Sequence, residues 1–196
     1  KIVEFRIKRM RALTLFLREA VMHPSAVGAL FPSSKKLAYS LAQQLPVNAS
    51  SSELVVELGA GTGAITAALL NQKNLSGKLI VIERSAKLSH HLRQRFPELS
   101  IIEGDAGRLH DLINKYTANP IQAIVSSLPL RSLPTPIVKE IGVEVEQVLK
   151  KGGLFIQYTY SLWGPPLSPS PKLKLIHHQW VWQNLPPARI DVFRYE

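Results

Sequence analysis

The residues best suited to chemistry begin with Glu57-Leu58-Gly59-Ala60-Gly61-Thr62-Gly63, an acidic side chain followed by three alternating glycines. Glycine lets a backbone turn tightly and come close to a ligand. The loop follows the apolar run Leu54–Leu58 and opens the helical pattern Ala64–Leu70. That is the strand-to-helix setting a nucleotide loop needs, although the third glycine does not fall where the G-x-G-x-x-G dinucleotide pattern puts it. Glu83 ends the next apolar run, about 20 residues after Gly63. A carboxylate there can accept hydrogen bonds from both hydroxyls of a ribose. Gly104-Asp105-Ala106 follows the third run, and Ser126 ends the fourth.

Taken in order over residues 54–106, these features resemble the E/D-x-G-x-G-x-G block of class I S-adenosylmethionine-dependent methyltransferases. The resemblance implies S-adenosyl-L-methionine as cofactor and no metal. It implies that Glu57, Gly59, Gly61 and Gly63 wrap the methionine end, that Glu83 holds the ribose, and that Asp105 meets the adenine amino group. The backbone at Ala106 would meet the ring edge, and Ser126 would close the set.

The acceptor is read from the segment after the fourth run. Glu57–Leu70 is similar both to ribosomal RNA adenine dimethyltransferases and to small bacterial phospholipid N-methyltransferases. Adenine N6-methyltransferases carry Asn/Asp-x-Pro-Tyr/Phe here, with an amide for the amino group and a ring to stack on the flipped base. This chain has Ser126-Ser127-Leu128-Pro129-Leu130, read with Ser126 in place of the amide and Leu130 in place of the ring. Losing the stacking platform costs roughly 1–3 kcal/mol per base and disfavours nucleic acid as partner. The whole chain resembles the phospholipid family through Phe16-Leu17-Arg18, Val27–Ser34, Ser126-x-Leu128-Pro129, Gln157-Tyr158-Thr159-Tyr160 and Asn184-Leu185-Pro186-Pro187-Ala188. That last segment, which superficially looks like the missing motif, is read as a loop. The resemblance implies methylation of phosphatidylethanolamine and its mono- and dimethyl forms toward phosphatidylcholine, with a phospholipid headgroup as partner. RNA adenine N6-methylation is the alternative enzyme reading. A protein that only binds membrane or RNA would not explain the intact acidic and glycine positions.

An ammonium that becomes quaternary is stabilised by aromatic faces, worth about 0.5–2 kcal/mol. Tyr158 and Tyr160 share one strand face by alternation and are the expected catalytic pair, with Ser126 orienting the amine. Tyr39 and Trp163 are further lining candidates, and Arg131 could meet a lipid phosphate. No firm general base is evident. His23 is the nearest candidate, while His90-His91 and His177-His178 read as exposed.

Positioning these groups requires a particular set of elements. From Glu53 to Tyr160 the runs Leu54–Leu58, Lys78–Glu83, Leu99–Ile102, Ile121–Val125 and Leu154–Tyr158 alternate with helical patterns at Ala64–Leu70, Ala86–Arg95, Leu109–Tyr116 and Pro136–Leu149. Alternation of this kind predicts an α/β fold with right-handed crossovers. The expectation is a Rossmann-like, doubly wound seven-stranded sheet, mostly parallel, with a C-terminal antiparallel hairpin from Leu173–Trp182 and Arg189–Tyr195, plus N-terminal helices. Residues 1–52 read as a helical cap and 53–196 as the methyltransferase domain, one compact unit of 196 residues.

The chain carries 24 Lys+Arg against 14 Asp+Glu, a net charge of +10, and no cysteine. The charge favours an anionic partner, and the missing thiols exclude disulfides and a cysteine nucleophile. Over residues 1–21, Val3, Ile7, Met10, Leu17 and Val21 form one helical stripe beside Lys8, Arg9 and Arg11. Such a helix suits docking on an anionic membrane surface, each basic residue adding about 1 kcal/mol. With no apolar stretch long enough to span a bilayer, the expectation is a cytoplasmic protein held peripherally at the inner membrane.

Overall fold

The computed structural model describes residues 34–45, 53–71, 75, 77–161, 164–184 and 186–196. The expected docking helix at 1–21, His23 and Trp163 lie outside them.

Short Val/Ile-rich runs become central strands when both faces are covered. Here β1 (Leu54–Leu58), β2 (Leu79–Glu83), β3 (Ser100–Glu103), β4 (Ile121–Ser126), β5 (Leu149–Thr159), β6 (Leu173–Val181) and β7 (Ala188–Tyr195) form one sheet, ordered β3-β2-β1-β4-β5-β7-β6. The first five strands are parallel, and β7 is antiparallel to both β5 and β6. Every residue of β1 and β2 is buried.

The helices form two layers. On one side α1 (Ser34–Ala42), α2 (Ala64–Leu70) and α3 (Ala86–Arg95) bring Leu37, Leu41, Leu69 and Leu92 against Val55, Val125, Ile156 and Val192. On the other, α4 (Leu109–Tyr116) and α5 (Thr135–Val148) bring Leu109, Ile113, Ile141 and Val145 against Val56, Leu58, Ile124 and Phe155. Local chemistry sets the helix starts. Ser85 caps α3 by accepting from the Leu88 N–H, and Pro136 occupies the first turn of α5, where a missing N–H costs nothing.

The helices fall at or within a residue of their expected bounds, but β5 starts at Leu149 rather than Leu154. Its register with β4 jumps from Ile121↔Leu149 to Ala123↔Leu154, so Lys150–Gly153 bulges out of the ladder. Gly152 takes φ 78°, and a Cβ on Gly153 would sit 2.9 Å from the Gln122 carbonyl oxygen. The Lys-Lys-Gly-Gly sequence reads as a turn because polar and glycine residues mark both turns and bulges.

The C-terminal hairpin forms as expected, but its second strand is the one inserted against β5. Both β5 and β6 oppose β7, so β6 runs parallel to β5. The turn after β6 therefore lies at the sheet edge that also carries the loop after β1. The order reverses between β1 and β4, which is where open α/β sheets bind ligands.

Candidate active site

The loop after β1 sits at this reversal. Gly59, Gly61 and Gly63 all have positive φ, of 72°, 58° and 85°. Two of them explain themselves. A Cβ on Gly63 would strike Phe96 at 2.6 Å and Leu92 at 2.9 Å, so this glycine lets α3 close on the loop. A Cβ on Gly61 would meet nothing within 4 Å, so this glycine leaves open space beside a left-handed backbone.

Two carboxylates flank the loop. Glu83 is 8% exposed; its Oε2 accepts from the Gly61 N–H at 3.0 Å and its Oε1 from the Ser85 N–H at 2.9 Å. Each oxygen keeps a lone pair, so the carboxylate can still accept from two hydroxyls. Glu57 is fully buried. Its Oε2 accepts from the Thr66 hydroxyl at 2.7 Å, while Oε1 has no partner among the described residues. Burial pushes its carboxyl up to about 8, the Thr66 hydrogen bond opposing and the Glu83 charge adding to the rise. A buried carboxylate oxygen left unpaired suits a ligand bearing positive charge. The open cradle at Gly61, the available Glu83 lone pairs and this oxygen together fit a sulfonium nucleoside.

The third element is less free. Asp105 Oδ1 accepts from the Gly107 N–H at 2.9 Å, and its other oxygen lies 3.7 Å from Arg84, both side chains being largely exposed. Ala106 is buried beside it.

Ser126 and the tyrosines belong to opposite faces. Ser126 is in register with Leu58 and Gln157, on the α4/α5 side, and its buried hydroxyl accepts from the Leu128 N–H at 3.3 Å. Tyr158 and Tyr160 pack on the α1/α2 side, where Glu57 also lies. Their rings meet edge to face, centroids 5.5 Å apart and planes at 81°. Burial pushes both hydroxyls up, Tyr158 further through the neighbouring Tyr160 and Glu57 charges, so both stay protonated near neutrality.

Two residues escaped the sequence reading. In Asn-x-Pro the amide stands two places before proline, and counting back from Pro129 reaches Ser127 rather than Ser126. The Ser127 N–H donates to the Leu58 carbonyl, extending the parallel ladder, so its side chain alternates onto the Tyr158 face. Its hydroxyl is buried and has no partner among the described residues. The other is Asn184, assigned to a loop. It is 3% exposed, its Nδ2 donates to the Pro186 carbonyl at 2.6 Å, and its side chain reaches the Tyr160 hydroxyl. Tyr39 is 62% exposed, and the four histidines at 90–91 and 177–178 are exposed as expected. Among the described residues no cluster of His, Asp and Glu could hold a metal ion.

Comparison with known proteins agrees with this geometry. A family model described as a methyltransferase domain matches residues 55–153. The ornithine lipid N-methyltransferase of Singulisphaera acidiphila is 32% identical over 157 residues, covering 79% of this chain and 81% of that protein. The ribosomal RNA small subunit methyltransferase A of Chlorobium chlorochromatii is 29% identical over 108 residues, 55% of this chain; the match spans only 39% of that longer protein. The N-methyltransferase NodS from Bradyrhizobium japonicum WM9, solved with S-adenosyl-l-homocysteine, superposes with a TM-score of 0.62 at 17% identity. That alignment covers 84% of this chain and 88% of NodS, a likeness of fold.

Proposed function

Because the chain belongs to the class I S-adenosylmethionine-dependent methyltransferases, we propose that it transfers methyl groups to the amine of a membrane lipid, phosphatidylethanolamine and its mono- and dimethyl forms being the substrates of choice. The observation that carries the reading is the edge-to-face Tyr158–Tyr160 pair beside buried Glu57, an environment suited to an amine that gains positive charge. The 32% identity to an ornithine lipid N-methyltransferase supports a lipid amine in general.

When bound, S-adenosylmethionine supplies an electrophilic methyl on sulfur. Glu83, which pins the loop through the Gly61 N–H, would hold the ribose, Glu57 would offer its Oε1 to the cofactor's positive end, and the Gly59–Gly63 backbone would wrap it. The Asp105 carboxylate and the Ala106 backbone take the adenine. The amine must be neutral to attack in line, and most of the rate comes from holding it there. The acceptor nitrogen would take up that methyl and gain a positive charge. Tyr158 and Tyr160 then face the cation produced, and Ser126 holds the turn that carries Ser127 to the nitrogen.

A base would need a stacking ring at the fourth-strand loop. Leu130 stands there, 1% exposed and packed into the core, so it offers no platform. The rim supports a bilayer instead. Trp182 is 66% exposed at the turn after β6 and stacks on Trp180 with centroids 5.3 Å apart. Segments 34–45, 127–134 and 164–184 contain no carboxylate, while Lys35, Lys36 and Arg131 are exposed. Paired with the basic helix expected at 1–21, this edge suits an anionic surface. Among the described residues no helix is long and apolar enough to cross a membrane.

The test offers labelled cofactor to purified protein with phosphatidylethanolamine liposomes, ornithine lipid liposomes and ribosomal RNA separately. Label is expected in the phosphatidylethanolamine. Label only in ornithine lipid would replace the substrate and keep the class; label only in RNA would overturn the reading.

A further inference from the structure

The fourth-strand loop lacks the amide that an amine acceptor uses for alignment, yet the site does not lack an amide. Asn184 stands in the turn between β6 and β7, at the same sheet edge as the glycine loop. Its orientation is determined: Nδ2 donates to the Pro186 carbonyl at 2.6 Å, and a flipped amide would set two oxygens against each other. Oδ1 is thereby committed to the other direction. It is buried and finds no donor among the described residues. A buried carbonyl oxygen left unpaired costs on the order of a lost hydrogen bond, so its retention calls for a donor that arrives with a ligand.

The surroundings identify that ligand. The Asn184 side chain lies at the Tyr160 hydroxyl, Tyr160 packs edge to face on Tyr158, and Tyr158 borders Glu57. Ser127, on the face of Tyr158, brings a second buried and unpaired oxygen. Aromatic faces with acceptor oxygens nearby recognise a nitrogen that carries N–H bonds and develops positive charge.

We propose that Asn184 is a catalytic residue whose Oδ1 accepts an N–H hydrogen bond from the acceptor amine and aims its lone pair at the methyl group, the duty performed elsewhere by an amide in the fourth-strand loop. The proposal rests on the lipid-amine reading and adds a consequence that reading alone does not have. A neutral primary amine has two N–H bonds, a monomethyl amine one and a dimethyl amine none. Help from Asn184 is therefore greatest for the first transfer and absent from the last.

The experiment compares wild type, Asn184→Ala and Asn184→Asp on phosphatidylethanolamine and on its dimethyl form in mixed micelles, with S-adenosylhomocysteine affinity and thermal melting measured alongside. Asn184→Ala is expected to lower kcat/KM for the primary amine about tenfold or more while leaving the dimethyl substrate within about twofold, as loss of one good hydrogen bond requires. Asn184→Asp keeps an acceptor oxygen but loses the N–H to Pro186, and is expected to retain the preference for the primary amine even if melting falls. Equal losses on both substrates would assign Asn184 to holding the turn and overturn the proposal. Undiminished primary-amine turnover in Asn184→Ala would overturn it too, while leaving the lipid reading intact. A wild-type enzyme that labels neither lipid would overturn both.

Discussion

At the scale of single residues, the buried carboxylates carry the sharpest expectations. Glu57 holds a proton up to about pH 8 in the folded chain, because desolvation outweighs the Thr66 hydrogen bond. Binding a cationic group beside it requires the ionised form. Affinity for S-adenosylmethionine, read by calorimetry, is expected to fall about tenfold per pH unit below 8, and Glu57→Gln should flatten that slope. The same raised pKa means that the native state keeps a proton the unfolded chain has lost. Its stabilising contribution is full below about pH 4.5 and declines as pH rises toward 8, so melting of Glu57→Gln should vary less over this window than wild type. Glu83→Ala removes the acceptor of two backbone N–H groups as well as the ribose contact. Cofactor affinity should drop about a hundredfold, consistent with roughly 1.5–3 kcal/mol for bonds to a charged group. The acidic and glycine positions were legible because their order along the chain carries the information. Ser127 was legible too, as the residue two places before Pro129, while the ladder bond to Leu58 is what shows that this serine faces the tyrosines.

At the scale of elements, the glycine loop separates conformational from steric demand. Gly63→Ala would drive a methyl into Phe96 and Leu92 in addition to its left-handed backbone. Denaturant melts should show a loss of about 2–4 kcal/mol, overpacking added to strain. Gly61→Ala meets no neighbouring atom, so its stability cost should stay near 1 kcal/mol. Its methyl would enter the space assigned to the cofactor, and binding should weaken at least as much as in Glu83→Ala. A Gly61→Ala protein that binds normally would remove the loop from the site. The helices were readable because caps, a first-turn proline and apolar spacing are local signals. The early start of β5 was not, since Leu149 joins the sheet only by pairing with Ile121 of β4, ahead of the Lys150–Gly153 bulge.

At the scale of the molecule, one sheet edge combines basic and apolar surface. Lys35, Lys36, Arg131 and Trp182 stand exposed where β4 to β6 end, and the basic helix expected at residues 1–21 would add Lys8, Arg9 and Arg11. Reversing those three charges should abolish flotation with anionic liposomes, at about 1 kcal/mol per residue, without changing cofactor affinity. Trp182→Ala should weaken flotation roughly tenfold, the value of one large apolar group withdrawn from a bilayer interface. The amino-acid order by itself determined the alternation of strands and helices, and with it a parallel sheet with a glycine-rich first turn, because glycines, caps and apolar periodicity act over a few neighbouring residues. Only the tertiary structure decided that β7 slips between β5 and β6, that Ser126 and the tyrosines look to opposite sides, and that Asn184 returns beside Tyr160 from a hairpin near the C-terminus. Those relations join residues distant in the chain, and they are settled by which buried faces and hydrogen-bond partners remain once the local elements have formed.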